Sequence, residues 1–89
     1  MNSGKRWRLR VAKRVDKKLR KFPAVDRDRI LKTLEGMQRN PFAGDIVRLN
    51  VQPSTWRRRV GDYRIFFDAD PKQGVVDVLD VVRRTSTTY

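Results

Sequence analysis

From Trp56 to Val82 strand-forming residues alternate with tight turns so closely that little besides paired β-strands can be built from the stretch. Val60, Ile65, Phe66 and Phe67 favour extended backbone, and Gly61-Asp62 between them supplies a residue that tolerates the positive φ of a hairpin turn. A second turn is expected at Ala69-Asp70-Pro71-Lys72-Gln73-Gly74. It leads into a strand over Val75 to Val82, with β-branched residues at Val75, Val76, Val78, Val81 and Val82. Both segments carry arginine where a strand would otherwise finish apolar: Arg57-Arg58-Arg59 before the first turn, and Arg83-Arg84 before the tail Thr85-Ser86-Thr87-Thr88-Tyr89. These arginines are expected to converge on one site with Tyr89.

The rest of the chain supplies the partners for those strands. Trp7, Leu9 and Val11 alternate with Arg6, Arg8 and Arg10, the period of a strand with one face in a core and the other basic. At Ala12 the period changes. Val15, Leu19 and Phe22 then form one stripe of a helix that Pro23 ends, and Ile30, Leu31, Leu34 and Met37 mark a second helix over Ala24 to Arg39, stopped by Asn40-Pro41. With almost nothing joining them, the two helices should form a hairpin against one face of the sheet. A strand begins at Ile46 to Leu49 and is broken by Asn50 and Gln52-Pro53-Ser54 before the chain resumes at Thr55 to Val60. The expected order is β-α-α-β-β-β, an α+β fold with an antiparallel-rich sheet, in which Trp7, Trp56, Met37 and Phe42 are core.

At 89 residues the chain has room for one modest core and so one domain. The formal charge is +12, and residues 1–22 hold ten Lys/Arg against Asp16 alone. Such a balance points to nucleic acid or an acidic protein as partner, with a membrane surface a weaker third. No apolar run suits a spanning helix and none resembles a signal peptide, so the expected setting is cytoplasmic. With no cysteine and no histidine, the chain has no disulfide, no thiolate nucleophile, no Ser-His-Asp triad and no ordinary zinc site. Carboxylates, tyrosine, lysine or arginine acting as an electrostatic stabiliser remain.

Each of these features has a plainer reading beside the chemical one. The lysine-rich first helix is either a solvated face or a surface docking phosphates. The Arg57-Arg58-Arg59 run suits a strand edge protected against aggregation. Because Arg57 and Arg59 share a face and Arg58 points oppositely, Arg58 is expected to be the solvated one. Arg64 could be held in an ion pair with Asp62, Asp68 or Asp80.

The element order, the phrase Arg59-Val60-Gly61-Asp62-Tyr63-Arg64-Ile65 and the ending Val82-Arg83-Arg84-Thr85-Ser86-Thr87-Thr88-Tyr89 resemble the RelE/ParE superfamily of bacterial toxins over the whole chain. The likeness is greater to the RelE branch, ribosome-dependent mRNA endoribonucleases, than to the ParE branch, which poisons DNA gyrase. The resemblance implies that Arg64, Arg83 and Tyr89 are catalytic and that Arg57 and Arg59 bind RNA, while Thr55 stands at a position where the family's pattern has lysine. Arg84, Lys13 and Lys17 complete the expected RNA-binding set. It further implies mRNA and the ribosome as partners, no metal or other cofactor, no membrane and no direct DNA contact by the toxin alone. An acidic cognate antitoxin would neutralise it by covering its surface. Tyr89 could stack on a base or move a proton.

Overall fold

The computed structural model describes residues 6–49 and 54–84. The elements are β1 (Arg8–Val11), α1 (Lys13–Lys21), α2 (Ala24–Met37), β2 (Ile46–Arg48), β3 (Trp56–Val60), β4 (Tyr63–Asp70) and β5 (Val75–Arg83). They form the expected α+β architecture, with both helices against one face of a five-stranded sheet ordered β1-β5-β4-β3-β2. Ile46–Arg48 is a strand in its own right, adding a β-strand to the expected order and pairing antiparallel with β3 as the sheet's far edge. The opposite edge, β1, runs parallel to β5, and every other pairing is antiparallel. β1 starts later than the alternation suggests, because the Trp7 amide donates to the Gln38 carbonyl at 2.8 Å instead of joining the ladder.

Local chemistry sets the breaks. Phe22 is forced into extended backbone (ψ 154°) by the proline that follows it, which ends α1, and Pro23 then stands at the N-cap of α2. At the hairpin between β3 and β4, Gly61 adopts φ 57°, as that turn requires. Basic residues Lys18, Arg20 and Lys21 occupy the last turn of α1, where the helix dipole favours cations.

Val15 and Leu19 of α1 and Ile30, Leu34 and Met37 of α2 pack on Val60, Tyr63, Ile65, Phe67, Val76, Val78 and Val81 of the sheet. Three expected core residues lie elsewhere. Leu31 is 46% exposed, because it follows Ile30 by one residue and so points about 100° away from the buried stripe. Val11 is 40% exposed at the end of an edge strand. Phe42, 39% exposed, stands edge-on between Trp7 (centroids 5.9 Å) and Trp56 (5.4 Å), and those tryptophans pack only partly against the core.

One irregularity governs the site. Phe67 pairs with Val78 but Phe66 pairs with Asp80, so Leu79 is an extra residue on β5, a β-bulge. It resets the alternation of that strand. Val76, Val78 and Val81 all reach the core despite their uneven spacing, and every residue beyond the bulge faces the side opposite to the one unbroken alternation would give.

Candidate nucleic-acid interface

The face of the sheet turned away from the helices gathers three arginines. Arg59 sits directly across from Arg64, and Arg57 lies across from Phe66, its neighbour on the same face. Like charges directly opposed across strands are destabilising unless something anionic lies between them. Asp45 offers Arg59 only a solvated contact at 3.8 Å. Arg57 and Arg64 form no ion pair among the described residues, and the Nε of each is enclosed without an acceptor. The three carboxylates that could have claimed Arg64 do not. Asp80 accepts from Lys18 at 2.8 Å, Asp68 accepts the Thr55 amide at 2.7 Å, and Asp62 forms no ion pair among the described residues. Leaving buried donors unmet costs roughly 1–3 kcal/mol each.

Arg83 is at the same end of the sheet but on its other face. Its cross-strand partner is Tyr63, and its guanidinium lies 5.7 Å above the Tyr63 ring, whereas Arg64 faces Val82. The bulge at Leu79 is the cause, since the extra residue turns Val82 toward Arg64 and Arg83 toward the helices. Arg84 is exposed and its amide donates to the Asp62 carbonyl at 2.6 Å, tying the end of β5 to the hairpin turn. Tyr89 and the tail from Thr85 lie outside the described residues. Lys13 and Lys17 are exposed on α1, on the helical side, and neither is paired among the described residues. Lys18 of the same helix instead bonds Asp80 and the Val81 carbonyl, clamping α1 to β5.

Arg58 corrects the expectation of a solvated side chain. Its cross-strand partner is the fully buried Ile65, so it faces the helical side, half-buried, with Nε enclosed and Nη1 donating to the Ala43 carbonyl at 2.9 Å. A Cβ on Gly44 would overlap its guanidinium, so this packing requires glycine there. Tyr63 anchors the core under Arg83. Its hydroxyl donates to Asp26 at 2.7 Å, and its ring meets Phe22 at 4.8 Å. Burial first, and then the Asp26 carboxylate, push the Tyr63 phenol above its ordinary pKa, with Arg83 pulling the other way.

A family model described as the ParE toxin of type II toxin-antitoxin systems, parDE, matches residues 4–87. The chain belongs to this toxin family, within the RelE/ParE superfamily. The toxin also resembles solved structures at the level of fold. It superposes on the archaeal RelE-RelB complex from Pyrococcus horikoshii with TM-score 0.79 at 24% identity, covering 91% of this chain and 98% of that one. A toxin-antitoxin complex RelBE2 from Mycobacterium tuberculosis gives 0.77 at 21%, covering 89% and 99%. Isolated RelE from E. coli gives 0.74 at 20%, covering 91% and 87%. No curated protein sequence matches the toxin. The role of Arg58 escaped the sequence reading. Alternation gives its side of the strand, and the nearby Gly44 was the available sign that a bulky group passes close to the backbone.

Proposed function

We propose that this type II toxin is a metal-independent endoribonuclease that cuts translated mRNA on the ribosome and is held in check by an acidic antitoxin. The reading is supported most by Arg57, Arg59 and Arg64 sharing one sheet face, with Arg57 and Arg64 free of ion pairs among the described residues and Arg59 given only a solvated contact by Asp45. RNA carries its own nucleophile. The 2′-OH loses its proton and attacks the adjacent phosphorus, the bond to the 5′-oxygen breaks, and that oxygen takes up a proton, leaving a 2′,3′-cyclic phosphate and a 5′-hydroxyl. Charge accumulates on the non-bridging oxygens in between. Forked guanidinium groups stabilise that charge bidentately and stay ionised while doing so. In this reading Arg64 carries the role, with Arg57 and Arg59 positioning the strand.

Arg83 approaches from the end of the sheet. Among the described residues its guanidinium has only a ring contact of about 0.5–1 kcal/mol over Tyr63, so little holds the side-chain tip there, although its strand position faces it away from Arg64. Tyr89 follows in the tail as proton carrier or base stacker. The RelB antitoxins present in the complexes above make an equivalent partner the natural one here, and a strongly basic surface suits an acidic wrapper.

Arg64→Ala and Arg83→Ala should each fold yet lose cleavage of a translated message by about 100-fold or more, read by primer extension. Full cleavage by Arg64→Ala would retire the nuclease reading. The alternative within the same superfamily is a ParE-like, non-enzymatic gyrase inhibitor. It predicts growth arrest with DNA damage and an intact message, so the same extension gel separates the two.

A further inference from the structure

On the opposite side of the sheet from Arg57, Arg59 and Arg64, α2 and the loop before β2 enclose a concavity lined by Arg29, Lys32, Thr33, Gly36, Asn40, Ala43 and Arg58. Three of the seven are cations. None forms an ion pair among the described residues, and the Arg58 Nε is enclosed with no acceptor. Of the three, Arg58 is the one held in place. Arg58 is fixed by the Ala43 carbonyl and by the bare Gly44 backbone, while the Arg29 guanidinium lies so close to Gly61 that a Cβ there would come within 2.8 Å of it. The floor is open at Gly36, a helical glycine whose added Cβ would meet nothing within 4 Å.

From this geometry we infer a second phosphodiester-binding site, back to back with the first, which grips an RNA backbone separate from the strand being cut. The chemistry favours phosphate over an acidic protein. Five of the seven lining residues end in a charged or polar group and none carries a large apolar side chain, whereas a docked protein segment needs apolar anchors to bury. Two guanidiniums, one ammonium and the Asn40 amide instead match the oxygens of a phosphodiester. Cations engaged with phosphate oxygens position a strand without selecting its sequence. A toxin gripping RNA on both faces of one sheet is wedged between two strands, which orients the cutting face. The inference rests on the proposed function only in taking RNA as the ligand.

Gly36 supplies the test. Gly36→Glu adds a carboxylate at the concavity from a position where the Cβ meets nothing within 4 Å, and Gly36→Ala adds only a methyl group and favours the helix. A fluorescein-labelled RNA stem-loop is titrated against wild-type toxin and both variants by anisotropy at several salt concentrations, with far-UV circular dichroism confirming the fold. Gly36→Ala should bind like wild type. Gly36→Glu should bind about tenfold more weakly, with the slope of log affinity on log salt smaller by about 1. Equal affinity and slope in Gly36→Glu and wild type would overturn the site. If poly-glutamate binding alone falls in Gly36→Glu, the concavity is overturned as an RNA site and belongs to an acidic protein. A toxin that leaves messages uncut but shows the Gly36→Glu loss keeps this site and loses the proposed nuclease.

Discussion

At the scale of single residues, the molecule turns on polar groups whose partners the fold chooses. Tyr63 is buried with its hydroxyl donating to Asp26, so Tyr63→Phe should cost about 1 kcal/mol in urea unfolding, the net worth of one such bond. Its titration has a definite sign. The folded phenol ionises above the ordinary value of 10.0, so its contribution is complete below that pH and is lost as pH rises through the folded value. Denaturation midpoints measured across the alkaline range should therefore decline less steeply in Tyr63→Phe than in wild type. At Gly44, φ is 90° and the Arg58 guanidinium lies against the bare backbone. Gly44→Ala should displace Arg58, destabilise the toxin by about 1–3 kcal/mol and weaken stem-loop binding together. Undiminished stability in that variant would show that the guanidinium packing matters little.

Among the elements, α2 separates burial from mere hydrophobicity. Ile30 is fully buried and Leu31 is 46% exposed, so Ile30→Ala should cost about 2–5 kcal/mol and Leu31→Ala about 0.5 or less. Comparable losses at both positions would contradict the orientation of the helix. Much at this scale was legible in the chain. The 3.6-residue stripe Val15-Leu19 and the period-two run Tyr63-Ile65-Phe67 are buried, and Pro23 divides the helices, because these signals are local. What was not legible depended on distant partners. The parallel pairing of β1 with β5 joins residues more than sixty apart, Arg10 and Asp77 among them, and alternation carries no information about direction. The bulge at Leu79 was latent in the uneven spacing of Val76, Val78 and Val81, but only the register against β4 shows which residue is extra. Through that bulge Arg83 faces away from Arg64, which strand periodicity alone would not reveal. Arg58 was misjudged for a related reason. Its strand side was right, but the Ala43 carbonyl that receives it lies fifteen residues back in a loop.

For the whole molecule, charge is the dominant fact: a formal +12, with cations on both sides of a single sheet and few carboxylates free to neutralise them. Affinity for any RNA should fall steeply and linearly in log salt, and a flat dependence between low and physiological ionic strength would show that these cations do not meet phosphates. The pairing of β1 with β5 has a consequence in synthesis. Of the five strands β5 is translated last, yet it lies between β1 and β4. Until it emerges, β1 has no sheet to join, the helices have only part of their floor, and Arg64 stands on an unpaired edge. The basic sheet is therefore finished from the inside out, and no fragment that stops short of the final strand can hold its two outer segments together.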